Sequence, residues 1–309
     1  MKGTFLLKTL FTNRIWTVNT ARASKHYART VKAVKLARLT VGTFARNQLG
    51  FQCVALSYFV AMAVIPFCAL LFAVTGGLGL SNRLSFILYN LFPENAGYVD
   101  TVMDKANNII DVAKSGGVGI LSALFFLWAI LWMMFQMERV FNNVWGIQKI
   151  PRKIYKRFGF YLLVLVMAPF IALLFGSGIA YQANLTKLVG WDTEQFRVIA
   201  QVLSRVVIYG LVTLSLSLMY TFIPAAKVRY KFALESAILT SLVFCIFQYL
   251  YLETQVFVTR LNAVYGVIAA FPLFLIWLNF SWQIIIYGAA LTYSFHHVDT
   301  YLPESIQPS

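Results

Sequence analysis

Residues 198–223 read VIAQVLSRVVIYGLVTLSLSLMYTFI, an apolar run that contains one arginine and no acidic residue. About 20 such residues in a helix span the hydrocarbon core of a bilayer. Burying an ionised guanidinium there costs at least ~2.5–3.5 kcal/mol, so such residues usually face a partner or a water-filled cavity. The run therefore predicts a membrane-spanning helix and makes Arg205 the first candidate functional residue.

Polar residues recur along this helix at every fourth position. Because steps of four advance about 400°, they wind slowly along one side of the helix. Such a stripe is typical of a substrate pathway or of a packed polar interface between helices. Its members are Gln201, Arg205, Tyr209, Thr213 and Ser217.

The composition of the whole chain predicts the same environment. Hydrophobic residues make up 60% of the 309 positions, charged residues make up 12%, and the mean hydropathy is +0.71. The short alternating strands of a membrane barrel are absent from the sequence. We therefore expect an all-α polytopic membrane protein with six transmembrane helices, at 51–74, 117–137, 158–181, 198–223, 232–252 and 267–295.

The net charge of +15 is distributed unevenly between the two sides that these spans define. Nineteen Lys/Arg residues lie in 1–50, in 138–157 and at Lys227, Arg229 and Lys231, against six in the opposite loops. Positive loops face the cytoplasm. The pattern predicts two cytoplasmic termini, a membrane domain over 51–295 and a short cytoplasmic tail over 296–309.

The basic segment 1–50 interleaves its cations with apolar residues, which favours amphipathic helices on the anionic inner leaflet. A basic tail that only fixes topology is an equal alternative. Membrane lipids, through anionic head groups at the cytoplasmic face, are the expected partners. No nucleic acid is expected, because regularly spaced aromatic platforms are missing. Small residues such as Gly288 are compatible with a homo-oligomer.

The sequence gives little support for a catalytic site or a metal-binding site. The three histidines are His26, His296 and His297, and the adjacent pair is no zinc site by itself. No predicted span contains an aspartate or a histidine for hydrolysis within the bilayer. We expect no catalytic residue, no metal and no cofactor, and therefore no enzyme.

Other predicted spans also carry polar residues at intervals of four. Asn279, Gln283 and Tyr287 lie in the last span, and Ser236, Thr240 and Gln248 lie in the fifth. These stripes could converge with that of Arg205 on a shared cavity. Alternatively they form interhelical hydrogen bonds, worth about 0.6 kcal/mol each. We prefer the cavity, because burying an arginine in hydrocarbon costs much more free energy than such hydrogen bonds between helices return.

Residues 138–146 read ERVFNNVWG and precede a basic run, a pattern that resembles the signature of the YihY/BrkB family of bacterial inner-membrane proteins. The likeness extends over about 40–297. Its motif positions here are Glu138, Asn142, Trp145, Tyr58, Pro66, Gly266, Trp277 and Gly288.

The resemblance implies six helices in the bacterial cytoplasmic membrane but no settled activity. Members have carried a ribonuclease label, a virulence label and a transporter-like description, and the scarcity of histidines here does not support a nuclease. Glu138 and Asn142 share one helix face, where they could form an inner gate or bind a polar head group. A polar cluster that ends the helix is the slightly preferred alternative.

Two functions follow from these patterns. The first is a transporter-like protein for an anionic or amphiphilic envelope molecule such as a lipid, with Arg205, Gln201, Tyr209, Asn279 and Gln283 along its path. The alternative is a membrane scaffold that organises the envelope without transport.

Overall fold

The computed structural model describes residues 25–77, 117–148, 194–261 and 263–299, together with isolated positions between 85 and 161. In the described part every regular element is a helix. These helices are α1 (Lys25–Arg46), α2 (Leu49–Gly77), α3 (Gly117–Val144), α4 (Glu194–Phe222), α5 (Tyr230–Leu261) and α6 (Ala263–His297).

Five of these helices cover five of the six predicted spans. The predicted third span, 158–181, lies outside the described residues apart from Gly159 and Tyr161. Two described segments are long and apolar enough to cross a membrane, Tyr230–Thr254 in α5 and Pro272–His297 in α6. Shorter apolar helical segments run over Leu49–Ala63 and Val206–Phe222. The number of spans and the side of each terminus stay predictions.

The chain divides into two compact units. The first consists of Met1–Ser57, Glu138–Ile150 and Tyr209–Ser309, and the second of Tyr58–Met137 and Pro151–Ile208. In the second unit, Trp128 and Trp132 stack with their ring centroids 5.8 Å apart and both remain exposed. The Arg157 guanidinium lies 4.7 Å from the centroid of the Phe135 ring.

Helices α5 and α6 form an antiparallel pair within the first unit. Near the start of α5, the Phe232 ring stacks on Phe295, with centroids 6.4 Å apart. Near its other end, the Trp277 indole N–H donates to Gln248 Oε1 at 2.8 Å. The two helices therefore stay in contact over several turns.

The two faces of α5 have opposite chemistry. Its buried face carries small and hydroxyl-bearing residues, namely Ala233, Ser236, Ala237, Thr240 and Ser241. Its exposed face carries large apolar ones, namely Ile238, Leu239, Leu242, Val243, Ile246, Tyr249, Leu250 and Leu252. Small residues let helix backbones approach closely where no water drives association, and lipid solvates the large ones. This arrangement is the one expected of a helix in a bilayer.

Helix α1 packs against the last turns of α6. The Thr40 hydroxyl donates to Ser294 Oγ at 2.9 Å, and the Phe44 ring stacks on Tyr287 with centroids 3.8 Å apart. At the chain end, Lys32 Nζ lies 3.5 Å from Asp299 Oδ2. Helix α1 thus contacts protein, and its residues Val31 and Leu39 are buried. The apolar residues interleaved in 1–24, for which a lipid surface is the expectation, lie outside the described residues.

Candidate functional site

The signature segment ends helix α3 with a Schellman motif. The Ile147 N–H donates to the Asn142 carbonyl and the Gly146 N–H donates to the Asn143 carbonyl, both at 3.0 Å. Gly146 has a φ of +67°, which lies in the left-handed region that favours glycine. The motif satisfies carbonyls that the end of a helix leaves open. The glycine of the signature is therefore explained by local backbone geometry.

Two asparagines at this end of α3 bond to distant segments. Asn142 Oδ1 accepts from the Ala225 N–H of the α4–α5 connection at 2.7 Å, while Asn142 Nδ2 donates to the Glu138 carbonyl at 2.9 Å. Asn143 and Asn47 bond reciprocally, each amide donating to the carbonyl of the other, at 3.1 and 2.9 Å. We refer to Asn47, Asn142 and Asn143 as the asparagine cluster. It joins the α1–α2 turn, the end of α3 and the α4–α5 connection.

Glu138 lies one turn before this cluster and is 2% exposed. Its neighbours along α3, Phe141 and Asn142, are buried as well, and the Phe141 ring lies 6.3 Å from that of Tyr220. Burial of a carboxylate is costly unless polar groups compensate it. Glu138 and Asn142 thus belong to the interior of the first unit.

Trp145 contacts the paired histidines at the end of α6. Its indole lies edge-on to Tyr293, His296 and His297, with ring centroids 5.4, 5.6 and 5.7 Å away. Two adjacent histidines make no zinc site alone. Among the described residues, no group of three His, Cys, Asp or Glu side chains could hold a metal ion.

Three helices approach one another closely at Gly288. A methyl group added there would lie 2.8 Å from Tyr220 Cζ on α4, and closer still to the Tyr220 hydroxyl and to Thr240 Oγ1 on α5. Tyr220 is 1% exposed and its hydroxyl donates to the Ile285 carbonyl at 3.0 Å. Because Tyr220 cannot move aside, this position on α6 requires glycine.

The described part of the polar stripe on α4 contacts α5. The Tyr209 hydroxyl donates to the Ile238 carbonyl at 2.8 Å, and Thr213 Oγ1 lies 2.7 Å from Ser241 Oγ. Ser217 is buried and its hydroxyl lies 3.4 Å from that of Tyr230. Of the two interpretations of the stripe, these residues form a packed polar interface. The side chains of Gln201 and Arg205 lie outside the described residues.

The polar residues in the middle of α6 are arranged differently. Gln283 Nε2 donates to Asn279 Oδ1 at 2.6 Å, a bond within a single helix, and both side chains are half-buried. We refer to Asn279 and Gln283 as the α6 amide pair. A primary amide has two donors and an acceptor with two lone pairs, so their one mutual bond uses little of this capacity among the described residues.

The remaining signature positions are distributed over both units. Tyr58 is exposed in the second unit, and Trp277 is half-buried against Gln248 in the first. The surroundings of Pro66 and Gly266 lie outside what the structure describes. The fold brings three residues to the signature positions that sequence patterns did not predict, namely Asn47, Ala225 and Tyr220. Only the polar run Asn47-Gln48 between two helices could have indicated the first of them.

The signature segment also lies within the part of the chain that matches a known protein family. A family model described as virulence factor BrkB matches residues 40–307. The chain belongs to the BrkB virulence factor family. This confirms the resemblance that the signature segment indicated. A membrane location follows for this member, because its bacterial relatives are named membrane proteins.

Three relatives give the extent of the likeness. A UPF0761 membrane protein of Chromohalobacter salexigens is 29% identical over 250 residues, which cover 77% of this chain and 57% of that protein. One from Coxiella burnetii (strain Dugway 5J108-111) is 24% identical over 81% of this chain and 88% of its own. One from Actinobacillus pleuropneumoniae serotype 5b is 25% identical over 77% and 84%. No solved structure matches the chain significantly.

Proposed function

We propose that this BrkB-family member is a multi-pass protein of the bacterial cytoplasmic membrane that moves an anionic or amphiphilic envelope molecule, such as a lipid, without transforming it chemically. Both termini lie in the cytoplasm in this proposal. Its basic inner surface gathers acidic head groups, and polar side chains within the bilayer provide the path.

The α6 amide pair carries the proposal. In hydrocarbon, a polar side chain needs a partner, and Tyr209, Thr213 and Ser217 of α4 have theirs on α5. Asn279 and Gln283 instead bond to each other and stay half-buried on one helix. Their unused donors and acceptors suit water or the polar part of a passing molecule.

Arg205 adds the charge that such a path requires. It lies in α4, four residues before Tyr209, in a run without acidic residues. Intramembrane cations of this kind mark ligand pathways more often than packing positions. We propose that Arg205 binds the anionic group of the cargo, with Gln201 beside it along the helix. Tyr209, whose hydroxyl donates to the Ile238 carbonyl of α5, belongs to the helix interface instead.

Transbilayer movement in proteoliposomes tests the proposal. A fluorescent anionic phospholipid is followed by a quencher that reaches only the outer leaflet, with the wild type beside Asn279→Leu/Gln283→Leu. Movement above that of empty liposomes is expected for the wild type and should be lost in the variant, which keeps its fold. Thr213→Val/Ser241→Ala, which removes a hydrogen bond between helices, should retain movement.

The second candidate is a scaffold that organises the envelope, and the polar bonding of α4 to α5 favours it. A scaffold predicts that Arg205→Ala damages folding and changes no ligand. The transporter predicts retained folding and lost ligand handling. A wild-type protein without transbilayer movement, together with a poorly folded Arg205→Ala variant, would establish the scaffold.

A further inference from the structure

The connection between α4 and α5 carries a dense group of exposed cations. Lys227, Arg229 and Lys231 are all exposed, with Tyr230 between the last two. Helix α5 begins at Tyr230 and has no acidic residue in its first turn. Glu235 lies 4.0 Å from Lys231, a single carboxylate against three cations. We refer to Lys227, Arg229 and Lys231 as the basic turn.

The start of a long helix strengthens this positive charge. The first N–H groups of a helix have no carbonyl partners within it, and the helix dipole places partial positive charge there. The residue preceding α5 is Arg229, whose carbonyl accepts from Phe232 and Ala233 and whose side chain supplies no capping oxygen. Both features favour an anion near the basic turn.

An exposed apolar face continues from this turn along α5. Lys231, whose side chain is 81% exposed, lies on the same helix face as Ile238, Leu242, Ile246 and Tyr249, at steps of seven, four, four and three residues. At 1.5 Å per residue, Lys231 lies about 16 Å from Leu242, close to the ~15 Å hydrocarbon depth of one leaflet. The charge and the apolar stripe thus have the spacing of a head group and its chain.

We propose that this face of α5 binds one anionic phospholipid of the cytoplasmic leaflet. The lipid phosphate lies on the basic turn and an acyl chain lies along Ile238, Leu242 and Ile246. The proposal rests on the membrane topology of the proposed function and not on transport. Among the described residues, the side chains of α5 that bond to α4 and α6 in these contacts are Ser241 and Gln248, which lie outside this stripe.

Charge complementarity favours an anionic phospholipid over a zwitterionic one at this site. Each Lys or Arg near the head-group level attracts an anionic lipid enough to change its affinity about fivefold. A soluble anion would bind the cations but gain nothing from the apolar stripe. A zwitterionic lipid would use the stripe but gain little from the cations. An anionic phospholipid uses both.

Native mass spectrometry of the full chain tests this site. The protein is delipidated in mild detergent and offered equal amounts of phosphatidylglycerol and phosphatidylcholine. Lys227→Gln/Arg229→Gln/Lys231→Gln is compared with Arg29→Gln/Arg46→Gln/Arg139→Gln, which removes the same charge from exposed cations elsewhere in the first unit. The wild type and the control should retain phosphatidylglycerol, and the basic-turn variant should lose at least tenfold in its affinity for it. Equal melting curves show that both variants are folded.

Three outcomes would overturn the site. Equal losses in both variants would mean that general surface charge attracts the lipid. Equal retention of phosphatidylcholine by the wild type would mean that the cations select nothing. Displacement of phosphatidylglycerol by an equal concentration of glycerol phosphate would mean that the apolar stripe contributes nothing. Because the transport assay uses the α6 amide pair, failure of this site and failure of the proposed function are distinguishable.

Discussion

The asparagine cluster and the α6 amide pair contain the same chemical group and use it in opposite ways. In the cluster, the amides of Asn142 and Asn143 reach backbone groups of segments more than 80 residues away in sequence. In the pair, the partner of Gln283 within the described part of the chain is Asn279, one turn away on the same helix. Amides that join segments hold the fold together, whereas amides that bond locally remain available to water or a ligand. Substitutions should separate these two roles.

The largest loss of stability is expected at Gly288, where three helices of the first unit pack closely. Gly288→Ala would press a methyl group against Tyr220 and Thr240, neither of which has room to retreat. We expect a loss of ~3 kcal/mol or more in the free energy of unfolding, at or above the upper end for overpacking. Unfolding in mixed micelles with increasing dodecyl sulfate measures it.

Gly210→Ala is the matched control for this change. Gly210 is exposed on α4, and an added methyl group there meets nothing within 4 Å. Since alanine is the better helix former, the control should be neutral or slightly stabilising. A Gly288→Ala protein as stable as this control would contradict the close approach of the three helices.

The variants Asn142→Leu and Asn279→Leu compare the stability contributed by the asparagine cluster with that contributed by the α6 amide pair. The first change leaves the Ala225 N–H without its acceptor in a part-buried position, at a cost of ~1–3 kcal/mol. The second removes a bond within one helix, and we expect less than ~0.5 kcal/mol. The same micelle titration measures both. Equal losses would mean that the α6 amide pair is structural after all.

Gly146→Ala should have a smaller effect at the end of α3. Its φ of +67° costs a residue with a Cβ atom roughly 1–2 kcal/mol. Gly42, exposed within α1 with nothing near its added methyl group, is the control, and Gly42→Ala should stabilise by ~0.5–1 kcal/mol. Thermal denaturation followed by circular dichroism should therefore shift in opposite directions for the two variants.

The smallest expected effect concerns the interface between α4 and α5. Thr213→Val removes the hydroxyl that lies 2.7 Å from Ser241 Oγ and leaves the shape of the side chain unchanged. Interhelical hydrogen bonds in membranes are worth about 0.6 kcal/mol on average. A loss of that size, measured by micelle titration and without effect on lipid movement, would confirm that this part of the stripe is structural.

The helices were predictable because their signal is local. Apolar runs near 20 residues fall within α2 to α6, and the signature segment could be interpreted as a helix end because its glycine follows the run directly. The partner of Asn142 could not be predicted, because it is the backbone N–H of Ala225. The identity of the residue at 225 gives no indication of this contact. The same holds for Gly288, whose neighbours Tyr220 and Thr240 meet only in the folded bundle.

Helix α1 shows a second limit of sequence patterns. Its apolar face over Val31 and Leu39 suits a lipid surface and a protein surface equally. The contacts of Thr40 with Ser294 and of Phe44 with Tyr287 show that this helix packs against protein. Burial also lowers the pKa of the Lys35 ammonium on this helix, an effect that the Asp299 carboxylate partly offsets. Neither contact is visible in the periodicity of residues 25–46.

Water access to the α6 amide pair tests the central claim most directly. In a background of Cys53→Ala, Cys68→Ala and Cys245→Ala, single cysteines replace Asn279, Gln283 or Tyr249, the last being 63% exposed on the apolar face of α5. Open membrane fragments are then treated with a water-soluble maleimide. We expect labelling at 279 and 283 and none at 249, because the proposed path runs along the pair and the proposed lipid face of α5 includes Tyr249. Absence of labelling at 279 and 283, as at 249, would contradict the proposed path.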